Sequence, residues 1–130
     1  YMREKDIQKK NLKKKNNKKK YKSKIISCKT IRDPNKLALS SRNLLLKKSH
    51  LFIAGKLTQN IILIKKNLNN KKIDKKILNS IKKKIKNKYN ISNEYFELRN
   101  SINLKISKSI KNSRFFISYY LNNIRLIDNF

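Results

Sequence analysis

The chain has 130 residues, 36 of them Lys or Arg and seven Asp or Glu, for a formal net charge of +29. That length holds one small domain with a tail. The hydrophobic share of 38% falls below the roughly 45–50% of globular chains. One Gly, one Pro, one Cys and one His exclude glycine-dependent phosphate loops, an intrachain disulfide and a four-ligand zinc site, and count against a barrel or sandwich built on many tight turns.

In chain order, Tyr1 to Lys24 carries twelve basic residues and two acids, with Lys13-Lys14-Lys15 and Lys18-Lys19-Lys20 bracketing Asn16-Asn17. Such a stretch cannot bury enough surface to offset its own ordering entropy, so it reads as an arm laid along phosphates or as a solvated tail. It lacks the apolar core, roughly 7–15 residues long, of a secretion signal. Arg32-Asp33-Pro34-Asn35 reads as a turn, because Pro34 disfavours helical backbone at Asp33. Leu37, Leu39, Leu44, Leu45 and Leu46 follow at spacings that allow a short helix. Leu51 to Leu57 reads as extended around Gly55, and Ile61 to Leu68 as either a short helix or a strand. The aliphatic run Ile61 to Ile64 is far short of the ~20 residues that span a bilayer, so no membrane insertion is expected.

Ile73, Ile77, Leu78, Ile81, Ile85 and Tyr89 recur every three to four residues, while Lys75, Lys76, Lys82, Lys83, Lys86 and Lys88 cover the other faces. This predicts an amphipathic helix with Asp74 in its first turn. Tyr89 to Asn93 breaks it, and Ser92 or Asn93 is placed to cap a second helix, with Glu94 and Glu97 near its positive end. Leu98, Ile102, Ile106 and Ile110 mark that helix at i+4 spacing, with Arg99, Lys105, Lys108 and Lys111 off the stripe. Phe115 to Ile127 reads as a third. The expected fold is mostly α: a small bundle of about three short helices over residues 51–130, with a long, partly irregular basic N-terminal extension over residues 1–50 that orders on RNA.

No catalytic constellation emerges. Glu94 and Glu97 are the close pair among scattered acids, and Cys28 and His50 carry no partner pattern, so no enzyme, metal, cofactor or small-molecule substrate is expected. A chain this basic is expected to live against a polyanion, since like charges within about 10 Å repel at 0.1 M salt. The candidate RNA-binding residues are Lys13, Lys14, Lys15, Lys18, Lys19 and Lys20 in the arm, then Lys82, Lys83, Lys86, Lys105, Lys108 and Lys111. Arg99, Arg114 and Arg125 join them because a guanidinium holds a phosphate bidentately and stacks on a base. Tyr119 and Tyr120 beside Arg114 form an aromatic-basic cluster suited to unstacked bases, with core packing as their competing role. The abundance of Lys, Asn and Ile points to an A/T-rich gene and to an organellar origin as the expectation.

FIAGKL (Phe52 to Leu57), the helix-like Ile73 to Ser92, and LRNSINLKI (Leu98 to Ile106) occur in an order similar to motifs of the small-subunit ribosomal protein thirteen family. Arg114-Phe115 and Tyr119-Tyr120 fall near that family's basic stretch. The resemblance implies a ribosomal-RNA-binding structural role in the head of the small subunit of a mitochondrial or, alternatively, plastid ribosome. It implies small-subunit protein nineteen and large-subunit protein five as neighbours. EYFELR (Glu94 to Arg99) resembles large-subunit protein twenty-nine, and KDIQKKNLKKK with Arg99-Asn100-Ser101 resembles small-subunit protein fourteen. A nonspecific organellar DNA-compacting protein is the alternative from another class.

Overall fold

Antiparallel strand pairing organises the C-terminal part of the chain in a computed structural model that describes residue 26 and residues 28–130. A short 3-10 helix (Ser41–Leu45) precedes two helices, α1 (Lys48–Asn67) and α2 (Lys75–Tyr89). Three strands follow: β1 (Ser92–Asn100), β2 (Ser113–Leu121) and β3 (Ile124–Asn129). They form one sheet in the order β1-β2-β3, with both neighbouring pairs antiparallel. The expected mostly helical bundle is therefore corrected to two helices beside a three-stranded sheet.

The helix that periodicity predicts after Ile73 is present as α2. Its N-terminus is capped by Asp74, whose carboxylate accepts from the Ile77 N–H at 2.8 Å, which satisfies one of the first-turn donors. Ile81 and Ile85 are its buried residues, and Asn90 ends it in left-handed backbone at φ 50°, a C-terminal position that Asn tolerates better than most side chains.

The second expected helix fails at Asn100. The Asn100 carboxamide oxygen accepts from the backbone N–H groups of Ile102 and Asn103 at 2.9 and 3.2 Å, a local turn that competes with helix continuation. Ile102 and Ile106 are 69% and 63% exposed, so the i+4 stripe is not a packed face. Upstream, Phe96 and Leu98 point into the core while Glu97 and Arg99 alternate with them as a half-buried pair, the period of a strand. Ser92 and Asn93 are therefore strand residues, not caps.

The third expected helix is the β2–β3 hairpin. Phe115, Ile117, Tyr119 and Leu121 are all buried on β2, and the aromatic and β-branched content of Phe115 to Tyr120 suits a pleated surface. Asn122 and Asn123 form the two-residue connection, with φ of 47° and 66°. A two-residue hairpin of type I′ needs positive φ at both central positions, commonly supplied by Asn or Gly. Of the seven non-glycine residues with positive φ among the described residues, five are Asn; the scarcity of Gly thus did not exclude tight turns.

The core forms where α1 and α2 lie against the sheet. Leu57 and Ile61 of α1 join Ile81 and Ile85 of α2, and Phe96 stacks on Phe115 with ring centroids 5.0 Å apart. Leu37 and Leu46 enter the same core from the segment before α1. Leu51 to Leu57, read from sequence as extended, lies inside α1. Its Gly55 permits a close approach: a Cβ there would stand 2.5 Å from Asn35 Nδ2 and 2.6 Å from Asn35 Cγ. Asn35 is itself held, since its Oδ1 accepts from Leu37 N–H at 3.0 Å and its carbonyl from Gln59 Nε2 at 3.1 Å.

Gly55→Ala is expected to destabilise the fold by about 1–2 kcal/mol in urea denaturation, although alanine alone favours a helix by about 1 kcal/mol. In an Asn35→Ala background the same change becomes neutral or stabilising, and equal costs in both backgrounds would show that Asn35 is not the obstacle.

Candidate functional site

Residues 30–45 run as a strap beside β3, one of the two edge strands. Pro34 and Asn35 turn the chain, with Lys36 N–H donating to Asp33 O at 2.9 Å and Asp33 N–H to Leu37 O at 3.0 Å, and Arg32 bridging Ala38. This turn presents the Arg32 guanidinium to the sheet. Its two terminal nitrogens donate to the two oxygens of Asp128 at 2.7 and 2.8 Å. Further bonds reach Lys36 O at 2.8 Å and Asn129 O at 3.3 Å, and the guanidinium carbon lies 5.2 Å from the Phe130 ring centroid. The Asp128 side chain is 7% exposed and that of Arg32 22%. A two-pronged, largely desolvated pair of this kind gains from geometry that only Arg supplies.

Farther along the strap, Ser40 Oγ accepts from Arg42 N–H at 3.2 Å, and Asn43 Nδ2 donates to Ala38 O at 3.0 Å. Arg42 Nη1 donates to the Arg125 carbonyl of β3 at 3.1 Å. One guanidinium nitrogen is thereby anchored to the sheet while Ser41 and Arg42 stay exposed. The arrangement is a polar shelf with an oriented cation and an adjacent hydroxyl, able to hold an anionic group without first ordering a loop.

A second polar group lies across the sheet. Glu94, at an irregularity in the β1–β2 register, accepts from Ser118 Oγ and from Arg125 Nε, both at 2.6 Å. These bonds, Ser118 first and Arg125 second, lower the Glu94 pKa, and the Glu94 bond raises that of Arg125. On β1, Arg99 Nε donates to Glu97 at 2.6 Å and its Nη1 to Leu104 O at 2.8 Å.

The residues selected from sequence are dispersed. Lys82, Lys83 and Lys86 lie on α2, and Lys105, Lys108 and Lys111 are exposed on the connection from β1 to β2. Arg99 and Arg114 face each other in the β1–β2 register, and Tyr120 faces Arg125 between β2 and β3. Tyr119 is buried and Tyr120 exposed; burial pushes the Tyr119 phenol up, with the Asp128 carboxylate adding to the effect. Lys13, Lys14, Lys15, Lys18, Lys19 and Lys20 lie outside the described residues. Sequence reasoning missed Arg32, Ser41, Arg42 and Asp128. The signal available was rarity: Arg among many Lys, and Asp128 as one of seven acids.

A family profile described as pantoate-beta-alanine ligase matches residues 1–130. The pantothenate synthetase of Flavobacterium psychrophilum is 33% identical over 133 residues, covering 99% of this chain and 47% of the relative. That of Buchnera aphidicola is 42% identical over 116 residues, covering 82% of this chain and 38% of the relative. Among solved structures, pantothenate synthetase from Thermus thermophilus superposes with a TM-score of 0.73 at 18% identity, over 92% of this chain and 44% of that one. The pantoate-beta-alanine ligase of Francisella tularensis, solved with beta-gamma ATP and beta-alanine, superposes with a TM-score of 0.60 at 29% identity, over 92% of this chain and 37% of that one. The chain spans about half the length, or less, of the relatives it matches.

These matches overturn the ribosomal reading. The resemblance to small-subunit protein thirteen fails, as do the alternatives of proteins twenty-nine and fourteen and of a DNA compactor, because an enzyme family accounts for the whole chain. The structure agrees: FIAGKL is interior to α1, and LRNSINLKI is strand and turn rather than helix. Ribosomal RNA, small-subunit protein nineteen and large-subunit protein five are not supported as partners, nor is the organellar ribosomal assignment. The expectations of no enzyme and no small-molecule substrate are contradicted by the relatives, which are named as pantothenate synthetases, one of the similar ligases having been solved with beta-gamma ATP and beta-alanine.

Asp128→Asn is expected to cost about 2–4 kcal/mol in urea denaturation, because Arg32 is left beside a neutral partner in a mostly buried position; a loss below about 0.5 kcal/mol would show the pair to be marginal. Glu94→Gln tests the second cluster. A carboxylate whose pKa is lower folded than unfolded stabilises the fold above its unfolded value, about 4.3, and loses that contribution as pH falls through the folded value. The difference in urea midpoint between wild type and Glu94→Gln should therefore be present at neutral pH and shrink below about pH 4.

Proposed function

We propose that this chain, which belongs to the pantoate-beta-alanine ligase family, takes part in the ATP-supported joining of pantoate to beta-alanine. A carboxylate and an amine do not condense in water at a useful rate, because the carboxylate oxygen is a poor leaving group. ATP supplies the group that makes it leave, and the amine of beta-alanine then attacks the activated carbonyl. The protein's task in such chemistry is largely to position the reactants and to meet the phosphate charge with donors already in place.

The observation that carries the proposal is the shelf at Ser41 and Arg42, exposed yet anchored by the Arg42 bond to the Arg125 carbonyl, within a chain matched to the family along its whole length. Arg42 keeps further guanidinium N–H groups for a phosphate oxygen, and the Ser41 hydroxyl offers a neutral donor beside it. Arg32 contributes through position: its pair with Asp128 holds the strap against β3, and with it the shelf.

The test joins this chain to the half of the Flavobacterium psychrophilum enzyme that it does not match and measures amide formation from pantoate, beta-alanine and ATP. Turnover dependent on all three is expected. Arg42→Ala should lower kcat/KM for ATP by about 10- to 100-fold, the usual worth of a charge-assisted hydrogen bond, with the melting transition kept. A folded chimera that forms no amide would overturn the reading.

A further inference from the structure

A cavity of about 380 Å3 opens between the start of the strap, α1 and the open end of the β2–β3 hairpin. Among the described residues that line it, four are cationic, namely Lys29, Arg32, Lys65 and Arg114, and none is acidic. Asp128 pairs with Arg32, and among the described residues no carboxylate lines the hollow beside Lys29 and Lys65. Ile62 and the Phe130 ring form an apolar wall.

Convergence of like charges in a partly buried place opposes folding unless something offsets it. Lys65 registers this: burial first, and the Arg114 guanidinium second, lower its pKa. One neutral group adds a separate indication. Asn129 Oδ1 is buried, lines the same cavity and has no hydrogen-bond partner among the described residues, and unsatisfied buried acceptors in native folds usually mark a missing partner. Cations on one side, a spare acceptor and an apolar wall together describe a ligand with a phosphate group, a hydroxyl or protonated phosphate oxygen, and an apolar body.

We propose that this cavity is a binding site for a small organic phosphate, whose anionic group meets Lys29, Lys65 and Arg114 while its apolar part lies on Ile62 and Phe130. The site is separate from the Ser41–Arg42 shelf. Asn129 stands four residues along β3 from Arg125, about 13 Å at the rise of an extended strand. The proposal does not depend on the ligase reading, because its residues are not those of the shelf.

Calorimetric titration of the full chain with phenyl phosphate and with inorganic phosphate tests it. One phenyl phosphate per chain is expected, bound more tightly than inorganic phosphate because the ring adds burial on Phe130. Lys65→Gln should weaken it about tenfold, as loss of one charge-assisted contact does, while Lys83→Gln, on the exposed side of α2, leaves it within about twofold. Without ligand, Lys65→Gln should keep or raise the melting temperature, since it removes a repelled charge, so weakened binding cannot be ascribed to unfolding. Equal weakening by both variants would mean general attraction to a basic surface and would overturn the proposal. Loss of phenyl phosphate binding in Arg42→Ala would overturn it too, by making the cavity part of the shelf.

Discussion

The bidentate pair between Arg32 and Asp128 is the interaction on which the rest of the architecture depends. It joins residues 96 positions apart and closes the strap onto the edge strand of the sheet. Strap closure brings Leu37 and Leu46 into the core, sets Asn35 against Gly55 of α1, and carries Arg42 to the Arg125 carbonyl. It also covers an exposed edge of the sheet, the part of an open sheet most prone to unwanted pairing. Few single contacts in so small a fold join core, edge and candidate site at once.

The charge of +29 takes a different meaning once the structure is known. Ten of the nineteen described lysines sit on α2 and on the β1–β2 connection, nearly all of them exposed, where water and salt screen them. The scarce acids have structural uses instead. Asp74 caps α2, Glu94 links Ser118 to Arg125, Glu97 holds Arg99, and Asp128 holds Arg32. A composition rich in Lys, Asn and Ile raises the net charge without requiring a polyanionic partner, and charge alone therefore misdirected the functional reading. Where cations converge rather than disperse, around Lys65 and Arg114, the charge carries information.

The candidate shelf illustrates how a short segment becomes functional by being held. Ser40, Ser41, Arg42 and Asn43 would be an ordinary polar loop in an isolated peptide. Three hydrogen bonds, to the Ser40 hydroxyl, the Ala38 carbonyl and the Arg125 carbonyl, give it one orientation and reduce the ordering needed when an anion arrives. The sheet is a rigid support for this, since its inward faces are closed by Phe96, Leu98, Phe115 and Ile117.

By itself the sequence determined the local features. The stripe of α2, its Asp74 cap and the turn at Pro34 depend on residues within about one helical turn of each other, so their spacing suffices to predict them. The β2–β3 hairpin was within reach of such reading through Asn122-Asn123 between two aromatic and β-branched runs, but the apparent i+4 stripe at Leu98 to Ile110 obscured the sheet. Nothing local marks Arg32 as the partner of Asp128, Arg42 as the neighbour of β3, or Lys29, Lys65 and Arg114 as walls of one cavity. Those relations join segments far apart in the chain, and only strand register and helix packing bring them together. Tertiary structure alone decided which of many basic residues converge on a site, because proximity across the fold, not charge along the chain, sets their chemistry.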